Sequence, residues 1–159
     1  MLICNCYLVS GTFLGYSSLR IANETTEDVL IVSVEVNAES AEIASQIHEH
    51  AGVSNRIHIV VEPSNKAISR LRDRFKVDAF DLIFIDHLKN LYVSDFKLLE
   101  QEGLIKQGTT IVADNVICPG VPDYLEYVRN NPTYSSTFYE STVEYRDDIP
   151  DGVEITVRL

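Results

Sequence analysis

The run Val29-Leu30-Ile31-Val32-Ser33-Val34-Glu35 decides the fold class. Apolar side chains fall at consecutive positions rather than alternate ones, so a strand made from it buries both faces, as strands do in a sheet covered by helices on either side. It closes on a carboxylate, and Asn37 just beyond it is suited to cap a helix. The same grammar recurs outward along the chain, in Leu2–Ser10, Ile57–Val61, Leu82–Asp86 and Thr109–Asp114. Between these runs Ala41, Ala44, Ile47 and Ala51 recur at helical spacing, as do Ile68, Leu71 and Phe75, and Tyr92, Phe96 and Leu99, with Gly103 as a helix stop. Strand–helix–strand repetition predicts right-handed crossovers and an α/β, doubly wound, mostly parallel sheet. Beyond Pro132 the pattern changes. Tyr134–Tyr145 and Val153–Arg158 read as strands, with Pro150-Asp151-Gly152 in the polar stretch between them, which predicts a C-terminal antiparallel strand pair at one edge. No repeat or linker interrupts residues 1–159, so a single domain is expected.

Composition narrows the partners. Of 159 residues, 24 are acidic and 13 basic, for a net charge of −11, and 45% are hydrophobic. That balance belongs to a folded chain and not to a disordered one. Its negative surface repels phosphate backbones, so no nucleic acid is expected, while a small cationic ligand is not opposed. Three cysteines (Cys4, Cys6, Cys118) form no framework and read as reduced thiols of a cytoplasmic protein. Met1–Ser10 is apolar but short, lacks a basic leader and runs into a glycine turn, a poor match to a secretory signal. No apolar run approaches the ~20 residues of a membrane span. Lys66–Lys76 carries five basic residues, but they interleave with the apolar stripe and read as a solvated helix face.

In a Rossmann-like sheet, ligands gather where the strands end, near the point at which strand order reverses. Each predicted core strand ends there in glycine or polar chemistry. The first leads into Gly11-Thr12-Phe13-Leu14-Gly15-Tyr16-Ser17, whose two glycines permit a tight turn and close approach of backbone to ligand. The spacing is not that of a dinucleotide fingerprint, which disfavours a nicotinamide-dependent oxidoreductase. Glu35, about 20 residues further on, stands where such sheets hold ribose hydroxyls. Asp86 and Asp114 end consecutive strands joined by one crossover, and Asn115 adds an amide oxygen. Three hard oxygen donors with room for water suit magnesium, with loop-facing carboxylates holding no ion as the alternative. Lys89 follows Asp86 by three residues. A dication nearby disfavours the ammonium form, so its amine becomes able to accept a proton.

These stretches resemble the catechol O-methyltransferases, magnesium-dependent enzymes that use S-adenosylmethionine. The likeness is carried by the glycine turn, Val34-Glu35-Val36-Asn37, Phe84-Ile85-Asp86-His87-Leu88-Lys89, Ala113-Asp114-Asn115-Val116-Ile117-Cys118-Pro119-Gly120 and Val143-Glu144-Tyr145. Carried across, it implies a cofactor site lined by Gly11, Ser17, Glu35, Ser64, Asp86 and His87, with Ser64 near the adenine. It implies magnesium on Asp86, Asp114 and Asn115, Lys89 as the base, a catechol held by Lys89, Asn115 and Glu144, and Pro119 in the wall beside its ring. A monomer acting on a small-molecule catechol is expected. The chain departs from the family in three respects: it lacks the helices ahead of the first core strand, Val9 stands in place of an acidic residue, and Leu88 replaces a tryptophan. The competing expectation is a truncated, catalytically impaired form that retains cofactor or partner binding.

Overall fold

A computed structural model describes residues 5–159. Five strands, β1 (Cys6–Ser10), β2 (Leu30–Glu35), β3 (Ile57–Val61), β4 (Phe80–Ile85) and β5 (Ile105–Ala113), run parallel. They alternate with α1 (Tyr16–Asn23), α2 (Ala38–His50), α3 (Ser64–Phe75) and α4 (Tyr92–Gln101). After α5 (Pro122–Arg129), β6 (Tyr134–Val143) and β7 (Arg146–Arg158) add antiparallel strands, giving the order β3-β2-β1-β4-β5-β7-β6. The doubly wound sheet with its antiparallel edge pair is therefore borne out. The part of the first predicted strand at 1–4 lies outside the described residues.

Order reverses between β1 and β4, and there the backbone is drawn tight. Asp86 N–H donates to the Ser10 carbonyl at 2.8 Å. Gly11 follows with φ +101°, and a Cβ on it would overlap the Asp86 carbonyl. A side chain at position 11 would therefore push apart the two strand ends that form the crevice.

The larger core lies on the face covered by α3, α4 and α5. There Ile68, Leu71, Tyr92, Phe96, Leu99 and Tyr124 pack on Leu8, Val34, Ile83, Ile85 and Ile111. A smaller cluster of Val9, Ala22, Val29, Ile31 and Ile57 lies under α1. Val9 is fully buried in this cluster, an apolar position that suits valine.

Two expectations are corrected. On α2 the buried stripe is Ala41, Ala44 and His48, while Ile47 is 38% exposed. The imidazole is retained inside because Nε2 lies 3.0 Å from Ser18 Oγ and 3.1 Å from the Gly15 carbonyl, which satisfies a buried polar atom. At the C-terminus, Pro150-Asp151-Gly152 is not the turn. Those residues belong to β7 and pair with Thr142, Ser141 and Glu140, and the chain reverses at Glu144-Tyr145. Proline is accommodated because β5 ladders only with residues 154–157 of β7, leaving Pro150 no partner on that side.

Phe96 is fully buried and meets Tyr124, Tyr127 and Tyr134 edge-on, with centroids 5.6, 5.8 and 5.3 Å away. Phe96→Ala is predicted to lower unfolding free energy by about 3–5 kcal/mol in urea titrations. A loss below about 1 kcal/mol would contradict this packing.

Candidate active site

Along the crevice, the ends of β1, β2 and β4 and the start of α3 enclose a cleft of about 300 Å³. Gly11, Glu35, Ser64, Asp86 and His87 all line it. Ser17 sits half-buried in the first turn of α1 and is not among the lining residues. Glu35 is held by backbone donors on both oxygens, from Phe13 N–H at 2.7 Å and Asn37 N–H at 2.8 Å. Each carboxylate oxygen accepts more than one hydrogen bond, so Glu35 keeps lone pairs for hydroxyls in the cleft. Ser64 and His87 reach the cleft from different elements yet share one anchor. Both hydrogen-bond Asp95 Oδ2, Ser64 at 2.5 Å and His87 Nε2 at 2.8 Å, and Asp95 is 3% exposed. His87 also stacks on Tyr92, with centroids 5.2 Å apart.

Next to the cleft is a second group of polar residues, and Asp86 belongs to both. Lys89 Nζ lies 2.9 Å from Asp86 Oδ1, 3.1 Å from Asn115 Oδ1, 3.4 Å from the Asp114 carbonyl and 2.6 Å from Tyr92 Oη. One ammonium thus bridges oxygens from the ends of β4 and β5. Tyr92 remains a phenol: burial first, then the charges of Asp86 and Asp114, push its pKa far above the ordinary value. Its hydroxyl lies 3.0 Å from both the Ile85 and the Asp114 carbonyls, so the lysine is held against a fixed acceptor.

Asp114 carries the electrostatic load of this arrangement. Burial raises its pKa, opposed by the hydrogen bond from Asn115 N–H at 2.8 Å, and the Asp86 charge raises it further. Asp151, 4% exposed, lies behind Asn115. Burial opposes its ionisation, but hydrogen bonds from Asn115 and from the backbone of Cys118, Gly152 and Ile117 outweigh that and hold its pKa below the usual carboxylate value. Crowded anions served by a single monovalent cation are a donor set that fits a hard dication: two carboxylates and one amide oxygen, with water completing the shell. Among the described residues no three His, Cys, Asp or Glu side chains form a metal cage, so the set relies on the Asn115 oxygen.

The structure thus brings Asp86, Lys89, Asp114 and Asn115 together. Pro119 is exposed on the turn Val116–Gly120 that follows Asn115. Glu144 lies on the exposed reversal between β6 and β7 and takes no part in these hydrogen bonds. Three polar contributors escaped the sequence reading. Tyr92 reads from the sequence only as core, Asp95 is hidden beside the apolar stripe of α4, and Asp151 reads as part of a polar turn. A carboxylate three residues after a core tyrosine, on the same helix face, was the available signal for Asp95.

With this geometry in place, comparison with known proteins is decisive. Residues 4–131 match the family model described as O-methyltransferase. The chain belongs to the O-methyltransferase family. It is 44% identical over 149 residues to catechol O-methyltransferase B of Danio rerio, covering 94% of this chain and 56% of that protein. It is 39% identical over 147 residues to catechol O-methyltransferase of Sus scrofa, covering 92% and 78% respectively. The chain thus spans little more than half of the zebrafish relative, and the resemblance to catechol O-methyltransferases is borne out. The fold is shared with an O-methyltransferase from Bacillus cereus solved in complex with SAH, with a TM-score of 0.85 and 23% identity over 98% of this chain and 74% of that one.

Asp114 supplies a pH test. With its folded pKa raised, the protonated carboxyl is the form that the fold favours. Its contribution is present below the unfolded value and is lost as pH rises through the folded value. Asp114→Asn removes that loss. The melting-temperature advantage of the variant over the metal-free parent is predicted to grow from about pH 4 to about pH 7. An advantage that shrinks with rising pH in thermal melts would contradict the burial and repulsion assigned to Asp114.

Proposed function

We propose that this chain, acting as one domain, transfers the methyl group of S-adenosylmethionine to a hydroxyl of a catechol with magnesium bound at Asp86, Asp114 and Asn115. The observation that carries the reading is the double use of Asp86, which lines the cleft and also contacts the Lys89 ammonium. Donor and acceptor sites therefore meet at one residue. Identity of 39–44% to two proteins named catechol O-methyltransferases supports the choice of substrate.

In this reading Glu35 accepts hydrogen bonds from the ribose, while Ser64 and His87, fixed by Asp95, border the adenine. Gly11 lets the backbone approach the donor, and Ser17 adds a hydroxyl from α1. When bound, magnesium favours ionisation of a catechol hydroxyl. Lys89 Nζ, having first released one of its own protons to solvent, takes the proton as a neutral amine, held in reach by Asp86, Asn115 and the Tyr92 hydroxyl. S-adenosylmethionine, held by the residues named above, would supply the methyl group to that oxygen and retain the carbon–sulfur electron pair as it leaves as the neutral thioether. Asn115 and Glu144 position the catechol, and Pro119 supports its ring. Holding nucleophile and donor in this alignment is worth up to about 7–11 kcal/mol in favourable cases. Every assigned residue comes from one chain, so a monomer suffices. The free thiol at Cys118 accords with a cytoplasmic setting.

One observation favours a second reading, cofactor binding without turnover. Phe13, Val36 and Leu88 around the cleft are 62–68% exposed, and access of water weakens the electrostatics that drive transfer. Labelled methyl transfer to a simple catechol separates the two. The proposal predicts transfer abolished by chelator and restored by magnesium, and Lys89→Ala lowering kcat about 10²–10⁴-fold with donor affinity unchanged. Absent transfer with intact donor binding would favour the second reading, and unchanged turnover in Lys89→Ala would remove the base.

A further inference from the structure

Asn115 contributes an amide whose two ends are nearly the same size and chemically opposite. If it is to serve a cation, its oxygen must face Asp86 and Lys89 and its NH2 must face away. Nothing in the Asn115 backbone enforces this. Its left-handed conformation (φ 53°, ψ 45°) and the hydrogen bond from its N–H to Asp114 place the side chain but leave the amide free to turn over.

We propose that Asp151 is the positioning residue that fixes the orientation of the Asn115 amide. Its Oδ2 accepts a hydrogen bond from Asn115 Nδ2 at 2.8 Å. Its Oδ1 accepts from the backbone N–H groups of Ile117 at 3.1 Å and Cys118 at 3.0 Å. An ionised carboxylate only accepts, so the end of Asn115 that meets it must be the NH2. The oxygen is then left on the opposite side, 3.1 Å from Lys89 Nζ. Turning the amide over would set oxygen against oxygen at 151 and NH2 against the ammonium of Lys89, two repulsive contacts replacing two attractive ones. The same carboxylate ties down the segment that carries Pro119. Asp151 belongs to β7, in the ladder opposite Ser141, so the orienting group sits on sheet and not on a loop, which improves its precision.

This inference rests on the reading of Asn115 as a cation ligand, and its test keeps the two apart. Mn2+ binding is titrated by electron paramagnetic resonance in the parent protein, in Asp151→Asn and in the double variant Asp151→Asn/Asn115→Asp, alongside S-adenosylmethionine affinity and thermal melting. In Asp151→Asn the new amide spends its oxygen on the two backbone N–H groups and turns its NH2 toward Asn115, which then rotates and withdraws its oxygen. Mn2+ affinity is predicted to fall about 10–100-fold, with donor affinity unchanged. In the double variant the amide at 151 donates to a carboxylate at 115. The hydrogen bond between positions 115 and 151 is re-formed with its direction reversed, Ile117 and Cys118 still donate to the oxygen at 151, an oxygen again faces the cation, and Mn2+ binding recovers. Should Asp151→Asn fail to fold, the double variant must still fold and bind. Equal Mn2+ affinity in Asp151→Asn and parent, or a folded double variant that does not recover, overturns the positioning role. A parent that binds donor but no Mn2+ overturns the cation site itself.

Discussion

The constraint on which this site depends is the gathering of negative charge at the ends of two adjacent parallel strands. Asp86 follows β4 and Asp114 follows β5, and backbone hydrogen bonds from Asp86 to Ser10 and from Asp114 to Ile85 hold both at the paired strand ends. Burial and mutual repulsion raise the Asp114 pKa. The Lys89 ammonium provides partial relief, bridging Asp86 and Asn115 from the turn that leads into α4. A fold selected for stability alone would have no use for such crowding. Here the cost is concentrated where hard oxygen donors and a titratable amine meet a cleft. Strain of this kind is a recurrent mark of sites that perform chemistry.

Rigid elements hold these groups in place, and their supports lie one layer away. Asp95 on α4 anchors both Ser64 and His87. Tyr92, one turn earlier on the same helix, meets Lys89 from behind. The helix that covers the main core thus also aligns one wall of the cleft and the Lys89 amine, and packing and site geometry are joined on one face. At the opposite strand edge, Arg129 on α5 clasps the buried Glu154 of β7 through two hydrogen bonds at 2.8 and 2.7 Å. That contact fixes the strand from which Asp151 reaches Asn115.

Much of this was legible in the amino-acid sequence because strand ends are local signals. The apolar run 29–35 announces a buried strand, and the carboxylate that closes it falls at the cleft because sheet topology places it there. Asp86, Asp114 and Asn115 were found by the same logic, and Gly11 by the backbone freedom its position requires. What escaped were groups that act through partners distant in the chain. Asp151 sits beside Pro150 and Gly152, residues that ordinarily mark a turn, and only its pairing with β6 reveals a strand. Asp95 lies on a helix face otherwise read as apolar, and its partners, 31 residues before it and 8 before it, carry no spacing pattern. His48 does not read as core in the sequence because an imidazole is buried only when its nitrogen is satisfied, and its partners Ser18 and Gly15 lie some 30 residues away in the chain.

The central claim is that oxygens from the ends of β4 and β5 form one cation site bordering the cleft. Anomalous diffraction from crystals grown with Mn2+ tests it most directly. The account predicts a single strong peak within bonding distance of Asp86, Asp114 and Asn115 oxygens, with the Lys89 amine drawn off to its side. A map with no peak among these residues, and Lys89 still bridging Asp86 and Asn115 at saturating Mn2+, would contradict it.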